Sequence, residues 1–288
     1  MRGTLLFDEP MALHTALKVG GPADYFAVPA DLAELQRLVT VLVASDIPYL
    51  LIGGGYNLLV RDGGFRGVVI SLEALCSIDS TGDSLIIAGA GASNRALADY
   101  ALKHSLSGIE FLAGIPGSLG GAVAMNAGAG GEAIADRLEM LTTLDNGAVT
   151  VTSKEKLCFG YRFLQLDPGE IIIGASLRLE PGSRSEIAVN IEAFMDQRRS
   201  SQQVGYPSAG SFFKNPPGKG AWRLIDEAGL RGYRVGGAQV SEVHANFLVN
   251  RGGAKAADFI AVADYIKQVV WKEAAVLLEE EVKIVGEN

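Results

Sequence analysis

The segment SAGSFFKNP, residues 208–216, groups side chains that could hold a polar ligand beside a reactive hydroxyl. Ser211 follows a glycine, so one side of its hydroxyl can be open, and the two phenylalanines after it can exclude water from the other side. Lys214 and Asn215 then offer a cation and an amide directly before a proline, where we expect the chain to turn. Both chemistry at Ser211 and ordinary packing are compatible with this composition.

A first glycine-rich segment, GGGYNLLV at residues 53–60, follows an apolar run that predicts a buried strand. Its glycines allow the backbone to approach a ligand, and their N–H groups can form an anion-binding nest. It has neither the GK[ST] ending of a P-loop nor the spacing of a GxGxxG dinucleotide motif. A tight structural turn therefore remains the alternative.

A second glycine-rich segment, GIPGSLGGAVAMNAGAGGE, begins at residue 114 and favours a diphosphate ligand. We expect Gly117, Gly120 and Gly121 to leave backbone N–H groups bare, while Ser118 adds a hydroxyl and Asn126 an amide. Pyrophosphate needs many converging donors without large side chains between them. The alternative is a helix of small residues that packs closely on a sheet, but two glycine-rich loops in one domain favour a large cofactor.

Arg162, Glu281 and His244 are further candidates, each with a structural explanation beside the functional one. Arg162, in FGYRFL, lies among apolar residues and needs a partner if it is buried, although a solvent-facing strand edge would also accommodate it. Alternate residues of a strand share a face, so in LLEEEVKIVG we expect Glu281 to face inward and Glu280 to face water. We interpret His244 as structural rather than catalytic.

Composition limits the possible classes of protein. The chain has 288 residues, 48% hydrophobic and 20% charged, which is typical of a globular protein with one or two domains. A net charge of −8 argues against nucleic acid as the main partner. We find no signal-peptide pattern, no apolar run long enough to span a membrane and no metal-binding cluster. Two distant cysteines without a CxxC motif favour a reducing, cytoplasmic location.

Hydrophobic periodicity predicts an α/β chain that opens strand, helix, strand. The helix covers 31–46 with Asp31 as its N-cap, and a second helix over 92–104 begins at Ser93 or Asn94. Alternating runs between 138 and 180 predict antiparallel strands.

Towards the C-terminus, the sequence predicts a helix running from 187 into a polar stretch and a closing strand in EVKIVG. Between them it predicts a long amphipathic helix over 256–281, whose apolar face includes Ile260, Ala263, Ile266, Val270 and Leu277. A change of composition near residues 180–186 predicts a domain boundary between about 180 and 200.

Motifs in one order along residues 17–286 resemble the UDP-N-acetylmuramate dehydrogenase family, also called UDP-N-acetylenolpyruvoylglucosamine reductase. No single motif is decisive, but their combination over nearly the whole chain is highly specific. The chain resembles the shorter type of this family, which lacks a substrate-covering insertion. The matching segments are LKVGGPADY, LIGGGYNLLV, EFLAGIPGSLGGAVAMNAGA, GYR, PSAGSFFKNP, VGGAQVSEVHANFLVN and LEEEVKIVG.

The resemblance implies an α/β (α+β) architecture. Residues 1–185 would form a two-subdomain FAD-binding fold of the vanillyl-alcohol oxidase type, split near residue 75, and residues 186–288 a smaller substrate domain. It also implies NADPH-dependent, FAD-mediated reduction of UDP-N-acetylglucosamine enolpyruvate to UDP-N-acetylmuramate, a cytoplasmic step of peptidoglycan synthesis. FAD would be bound tightly but not covalently. No nucleic acid, membrane insertion, metal or obligate protein partner is implied.

The resemblance also assigns roles to individual residues. It implies that Ser211 is the proton donor and that Arg162 and Glu281 stabilise an enol-type intermediate. The implied FAD-binding residues are Gly53, Gly54, Gly55, Tyr56, Asn57, Leu58, Ile115, Pro116, Gly117, Ser118, Gly120, Gly121, Ala122, Asn126 and Gly128. The implied substrate-binding residues are Tyr161, Arg199, Lys214, Asn215 and Asn246.

Several positions depart from the family pattern. Tyr56 replaces a usual serine, YRFL replaces YRxS after Arg162, NAGAGGE lacks an aromatic residue, and Gln203 replaces a frequent proline. Because none of these is a presumed catalytic residue, we expect altered affinity rather than lost activity.

Two other functions remain open at this point. Another FAD-dependent oxidoreductase of the same cofactor fold would share the glycine-rich loops. A flavin- or nucleotide-sugar-binding relative without turnover would be expected to lack catalytic groups, whereas Ser211, Arg162 and Glu281 are all present.

Overall fold

The computed structural model describes residues 2–82, 84–145 and 147–288. Its α-helices are α1 (Leu32–Ala44), α2 (Asn94–Lys103), α3 (Leu119–Ala124), α4 (Arg184–Gln202), α5 (Ala221–Glu227) and α6 (Ala256–Ala274). Short 3-10 helices cover Met11–Leu13, Glu110–Gly114, Ile134–Asp136 and Lys154–Lys156. Its strands are β1 (Thr4–Pro10), β2 (Pro22–Val28), β3 (Tyr49–Ile52), β4 (Leu58–Val60), β5 (Phe65–Ser71), β6 (Ile78–Thr81), β7 (Leu85–Gly89), β8 (Leu106–Ser107), β9 (Gly128–Ala129), β10 (Glu132–Ala133), β11 (Leu138–Asp145), β12 (Ala148–Ser153), β13 (Phe159–Gly160), β14 (Phe163–Leu164), β15 (Ile171–Arg178), β16 (Glu180–Pro181), β17 (Ser208–Ser211), β18 (Arg234–Val235), β19 (Ala238–Val240), β20 (Phe247–Asn250) and β21 (Lys283–Val285).

The chain divides into two compact units that alternate along the sequence. Unit 1 contains the described residues up to Leu6, followed by Tyr25–Gly54 and Gly67–Arg198. Unit 2 contains Phe7–Asp24, Gly55–Arg66 and Arg199–Asn288.

The structural division differs from the sequence expectation of domains at 1–185 and 186–288. The expected boundary lies in the first turn of α4, and Ile187 and Ile191 of that helix are buried with Ala98 of α2. Because this packing holds the first part of α4 in unit 1, the chain leaves that unit only after Arg198. The expected split near residue 75 stays a prediction.

Unit 1 contains a five-stranded sheet in the order β12-β11-β15-β7-β6. All its neighbouring pairs are antiparallel, which confirms the prediction made from the alternating runs between 138 and 180. Leu141 and Leu177 of this sheet are fully buried in one core with Leu97 of α2 and Leu119 of α3. The sheet and the two helices therefore fix the ends of the loops between them.

The helix starts in unit 1 follow from local sequence. Asp31 caps α1 by accepting a hydrogen bond from the N–H of Glu34 at 2.9 Å, as its side chain predicts. Ser93 caps α2 in the same way, with Ala96 as the donor at 3.1 Å. β3 pairs in parallel with β5, so this part of the chain has the α/β character that the sequence predicts.

Unit 2 contains a four-stranded antiparallel sheet in the order β17-β20-β19-β18. Helix α6 buries Phe259, Val262 and Ile266 in the core of this unit. The helix ends at Ala274 rather than at 281, because Ala275 adopts a left-handed conformation with φ of 54°. Leu277, which the long-helix prediction placed on the apolar face, is consequently 68% exposed.

The two N-terminal segments belong to unit 2 through specific bonds. The carboxylate of Asp62 accepts hydrogen bonds from the N–H groups of Ala256 and Ala257 at the start of α6, each at 2.9 Å. Asn250 Nδ2 donates to the carbonyl of Leu17 at 3.0 Å, and β4 pairs in parallel with β21. Of the described helices, none combines the length and apolar character that crossing a membrane requires.

Candidate active site

In unit 1, the first glycine-rich segment approaches the second at Gly53 and Ser118. A Cβ atom added to Gly53 would lie only 2.6 Å from Ser118 Oγ, which is closer than a real Cβ contact allows. A side chain at 53 would therefore force the hydroxyl of Ser118 to rotate away from its present position. Ser118 is 9% exposed and precedes α3 without a side-chain capping bond.

Asn94 fixes the loop that precedes Ser118. Its backbone N–H donates to the carbonyl of Gly117 at 3.0 Å, and its Nδ2 donates to the carbonyl of Ile115 at 3.1 Å. The side chain is 1% exposed, and its Oδ1 is buried without a hydrogen-bond partner among the described residues. Sequence reasoning considered this residue only as a helix cap, because the loop that it holds lies 21 residues further along the chain.

Gly120 has a different role from the one that its sequence context predicts. Its N–H is not bare but donates to the carbonyl of Ala90 at 2.9 Å. A Cβ at this position would lie 2.9 Å from the Cβ of Ala90, so the small residue permits close packing of α3 on the end of β7. The alternative of a small-residue helix packed on a sheet therefore holds at Gly120.

Asn126 and Arg162 both bond to main-chain carbonyls in unit 1. Asn126 Nδ2 donates to Gly160 at 3.0 Å, and its Oδ1 accepts from the N–H of Ala135 at 3.3 Å. Arg162 Nη1 lies 3.4 Å from the carbonyl oxygen of Gly128. These bonds connect the segment around 126–128 with the short hairpin that carries Arg162.

Arg162 lies at a turn and not within a strand. It follows β13 and precedes β14, which pair as a two-stranded hairpin, and its φ is 57°. Left-handed backbone is uncommon for a residue with a Cβ and costs on the order of 1 kcal/mol. The half-buried guanidinium lies 5.5 Å from the ring centroid of Tyr161, which is 56% exposed.

In unit 2, Ser211 ends strand β17 beside a bulge. It pairs with Phe247 of β20, and the register shifts between Ser208 and Ser211. Gly210 has φ of 76°, a conformation that glycine adopts at little cost. Phe212 and Phe213 are each 1% exposed, with ring centroids 5.3 Å apart. Ser211 is therefore followed directly by two core residues that anchor the chain.

Glu281 lies beside this segment through main-chain hydrogen bonds. Its N–H donates to the carbonyl of Phe212 at 2.8 Å, and its own carbonyl accepts from Asn57 Nδ2 at 3.0 Å. Phe213 and Glu280 form an antiparallel bridge. The structure thus brings the segments of Ser211 and Glu281 side by side, although they lie far apart in the sequence.

The neighbouring glutamates are paired with lysines. Glu280 is only half-exposed and accepts a hydrogen bond from Lys267 Nζ at 2.6 Å, so the expectation that it faces water is wrong. Burial acts to lower the pKa of Lys267, but its hydrogen bonds to Glu280 and Asp264 hold that pKa above its ordinary value. Glu279 is exposed and lies 3.5 Å from Lys214 Nζ.

The other expected ligand contacts in unit 2 have structural partners. Asn215 Oδ1 accepts from the N–H of Ala221 at 2.9 Å at the start of α5. Asn246 is 2% exposed, and both ends of its amide bond to the main chain of Phe213. A side chain so deeply buried offers almost no surface to a substrate, so direct contact by Asn246 is not supported.

Comparisons with known proteins are consistent over the whole chain. The protein-family model described as "FAD binding domain" matches residues 23–153. A second family model, described as "UDP-N-acetylenolpyruvoylglucosamine reductase, C-terminal domain", matches residues 202–285. The proteins from Geotalea uraniireducens and Geobacter metallireducens are 58% and 56% identical to this chain. These matches cover 99% and 100% of this chain and 95% and 96% of the respective relatives, and both relatives are named UDP-N-acetylenolpyruvoylglucosamine reductase.

A solved structure shows the same similarity. It is the UDP-N-acetylenolpyruvylglucosamine reductase (MurB) from Thermus caldophilus, which is 38% identical and superimposes with a TM-score of 0.85. The match covers 99% of each chain. The similarity therefore extends over the whole chain, including both the FAD-binding region and the C-terminal domain.

Proposed function

Since this chain belongs to the UDP-N-acetylenolpyruvoylglucosamine reductase family, we propose that Ser211, Arg162 and Glu281 carry out its reaction. The chain is an FAD-dependent oxidoreductase that reduces UDP-N-acetylglucosamine enolpyruvate in peptidoglycan synthesis. The observation that best supports the residue assignment is the bond from Glu281 N–H to Phe212 carbonyl, because it places the segment of a carboxylate beside that of a hydroxyl.

The residues of unit 1 fit a dinucleotide cofactor. The absence of a side chain at Gly53 leaves space beside the hydroxyl of Ser118, so a diphosphate can approach the backbone of the first segment and this hydroxyl closely. The unpaired Oδ1 of Asn94 adds a buried polar atom below the same loop. When bound, FAD supplies hydride chemistry, and NADPH is the donor that we propose.

The proposed FAD contacts are the residues that the family resemblance assigns, with one change of role. Gly120 acts through packing, because its N–H already bonds to Ala90. The remaining proposed contacts are Gly53, Gly54, Gly55, Tyr56, Asn57, Leu58, Ile115, Pro116, Gly117, Ser118, Gly121, Ala122, Asn126 and Gly128.

Arg162 is the group that we propose to hold the carboxylate of the enolpyruvyl substituent. Negative charge develops on this carboxylate and the adjacent carbon as the methylene carbon receives hydride. A fixed guanidinium stabilises such charge more than water does, because its donors need no reorganisation during the reaction. Its planar pair of N–H donors also matches the two oxygens of a carboxylate.

Ser211 is the proposed donor of a proton to the carbon next to the carboxylate. A serine hydroxyl is a poor acid in water, so it needs hydrogen bonds and a dry environment to serve this role. The buried rings of Phe212 and Phe213 fix the chain immediately after the hydroxyl. We propose that Glu281 stabilises the enol-type intermediate during this transfer.

Substrate binding involves the remaining polar residues. We propose that Tyr161, Arg199, Lys214 and Asn215 contact the nucleotide sugar, while Asn246 acts differently, as described below. Small-molecule chemistry of this kind requires no protein partner, and we propose a cytoplasmic location. The exposed ring of Tyr56 replaces the usual serine and should alter cofactor affinity more than the rate of reaction.

The activity can be tested by separating its two half-reactions. The purified chain should show a flavin absorption spectrum, and NADPH should bleach the flavin absorbance when oxygen is excluded. Addition of UDP-N-acetylglucosamine enolpyruvate should restore the oxidised spectrum and yield UDP-N-acetylmuramate by mass spectrometry. Fast recovery of the spectrum in air without the substrate, and no recovery with it under argon, would instead indicate an oxidase.

A further inference from the structure

We propose that Asn246 is a positioning residue that holds Ser211 in place for proton transfer. The inference rests on the proposed function and concerns the same site. Asn246 Oδ1 accepts from the N–H of Phe213 at 3.0 Å, and its Nδ2 donates to the carbonyl of Phe213 at 2.8 Å. The backbone carbonyl of Asn246 also accepts from the N–H of Phe212 at 2.7 Å.

The two side-chain bonds replace strand pairing where the ladder is irregular. The pairing of β17 with β20 ends at Ser211 and Phe247, after the bulge that begins at Ser208. A carboxamide carries a donor and an acceptor in one plane, as a peptide group does. Asn246 therefore continues the ladder with its side chain, directly after the residue that carries the hydroxyl.

The same short segment is held from its other side by residues 280–281, which precede β21. The N–H of Glu281 donates to the carbonyl of Phe212 at 2.8 Å, and Glu280 bridges to Phe213. Asn246 on one side and residues 280–281 on the other thus confine the two phenylalanines. Movement of this segment would shift Ser211 and Glu281 relative to each other.

The chemical consequence follows from the distance dependence of proton transfer. A displacement of a reacting group by about 1 Å can reduce a rate by about 100-fold. Hydride chemistry at a flavin in unit 1 does not use the hydroxyl of Ser211. Loss of Asn246 should therefore slow product formation and leave reduction of the flavin by NADPH nearly unchanged.

Asn250 provides a matched control at the end of β20, the strand that Asn246 directly precedes. It is 8% exposed, its Nδ2 donates to Leu17, and its Oδ1 accepts from the N–H of Gly252 at 2.9 Å. It is thus another buried asparagine whose amide is bonded to main-chain groups in unit 2. None of these partners carries Ser211 or Glu281.

The experiment compares Asn246→Asp and Asn246→Leu with Asn250→Asp and Asn250→Leu in the FAD-loaded enzyme. Aspartate keeps the acceptor but loses the donor, and leucine removes both while keeping the branched shape of the side chain. Stopped-flow absorbance measures the reductive and the oxidative half-reactions separately, well below the melting temperature of every variant. Hydrogen–deuterium exchange of the peptide around 211–215 and substrate affinity are measured in parallel.

We expect the Asn246 variants to slow the oxidative half-reaction by about 100-fold, with a larger solvent isotope effect and faster exchange around Phe213. The rate of flavin reduction and the substrate dissociation constant should stay within about threefold of wild type, since neither depends on the hydroxyl. The Asn250 variants should lose thermal stability but retain both rates. Asn246→Gln, which keeps both amide groups on a longer arm, should give an intermediate rate and serves if the other variants do not fold.

Three results would overturn the proposal. One is equal slowing of both half-reactions, another is the same oxidative defect in the Asn250 variants, and the third is weaker substrate binding with an unchanged oxidative rate. Failure of the wild-type enzyme to reduce the enolpyruvyl sugar would contradict the proposed function instead. Fast amide exchange around Phe213 in the wild-type enzyme would contradict only the argument that hydrogen bonds from Asn246 hold this segment in place.

Discussion

Units 1 and 2 build their candidate sites in different ways. In unit 1, the absence of a side chain lets two glycine-rich segments approach each other closely, as Gly53 approaches the hydroxyl of Ser118. In unit 2, Ser211 and Glu281 are placed by long-range hydrogen bonds to the backbone of the residues beside them. Unit 1 should therefore be sensitive to added volume, whereas unit 2 should be sensitive to loss of individual donor or acceptor groups.

This difference reflects the two tasks that the sites perform. A diphosphate presents many oxygens and is recognised by main-chain N–H groups, which are available only where side chains are small. A proton donor and a carboxylate must be side chains, and their positions depend on the rigidity of the strands that carry them.

The largest effect should come from removing the hydroxyl in unit 2. Ser211→Ala should lower the rate of product formation on the order of 10³-fold, because general acid catalysis contributes about that much. Reduction of the flavin by NADPH should continue at the wild-type rate in stopped-flow measurements. Ser208→Ala, on the same strand, is the control and should retain both rates. Unchanged turnover in Ser211→Ala would remove this serine from the mechanism.

Neutralising Glu281 should have the next largest effect. Glu281→Gln keeps the shape of the side chain and should bind substrate normally, yet turn over about 100-fold more slowly, because an amide lacks the acidic proton with which a carboxyl group stabilises an enol-type intermediate. Glu279→Gln is the control, because that side chain is exposed. Equilibrium binding and kcat are the measurements. Wild-type kcat in Glu281→Gln would transfer the role to another glutamate or to none.

Added volume in unit 1 should weaken cofactor binding. Gly53→Ala would place a methyl group 2.6 Å from the present position of Ser118 Oγ, so that the hydroxyl must rotate away. We expect FAD to dissociate about tenfold more readily, which corresponds to about 1.4 kcal/mol. Fluorescence titration of the apoprotein measures this change. Gly160→Ala, whose Cβ would lie 3.6 Å from Phe163, should not alter affinity, and equal loss in both variants would contradict the steric explanation.

The start of α6 should show a smaller effect on stability. Ala256 and Ala257 donate to different oxygens of Asp62, so Asp62→Asn keeps an acceptor for only one of these N–H groups and also removes the negative charge at the N-terminus of the helix. The free energy of unfolding should fall by about 1 kcal/mol, as measured by urea denaturation. Asp79→Asn, an exposed change on β6, is the control. No difference between the two variants would mean that the bonds to α6 contribute nothing measurable.

The last prediction concerns the pH dependence of stability that a carboxylate of unit 1 produces. The N–H of Ala30 hydrogen-bonds to Glu34 and outweighs the effect of burial; with the N–H groups of Arg2 and Gly3 it lowers the pKa of this carboxyl from 4.5 to about 2. A depressed pKa in the folded state stabilises the fold above pH 4.5, and this contribution is lost as the pH falls towards 2. Glu34→Gln should therefore reduce the pH dependence of unfolding in that window. An unaltered dependence would assign the acid sensitivity to other groups.

Much of the fold was predictable because it depends on neighbours in sequence. Asp31 and Ser93 cap the helices that their positions predict, and alternation predicted the antiparallel strands of unit 1. The end of α6 was not predictable from its apolar stripe, because the pattern continues to Leu277 while the backbone turns left-handed at Ala275. Nothing in the local sequence separates a residue that prolongs a helix from one that ends it there.

The sequence indicated which residue types form the candidate site more readily than it indicated their backbone conformation and their partners. The motif around Ser211 indicated both its hydroxyl and the aromatic residues that follow it. The sequence did not indicate that Arg162 occupies a positive-φ turn, because that conformation depends on the pairing of Phe159 and Gly160 with Leu164 and Phe163. Nor did it indicate the pair formed by Lys267 and Glu280, which forms because α6 ends at Ala274 and the following residues bring Glu280 within reach of the helix.

The sequence by itself determined the α/β character, the glycine-rich segments and the family resemblance, because these depend on residue type and order along the chain. The tertiary structure decided that Glu281 lies beside Phe212, that Asn246 binds Phe213 and that Asp62 caps α6. The physical reason is that each of these hydrogen bonds joins groups more than thirty residues apart, and only the packed core of unit 2 fixes their distance.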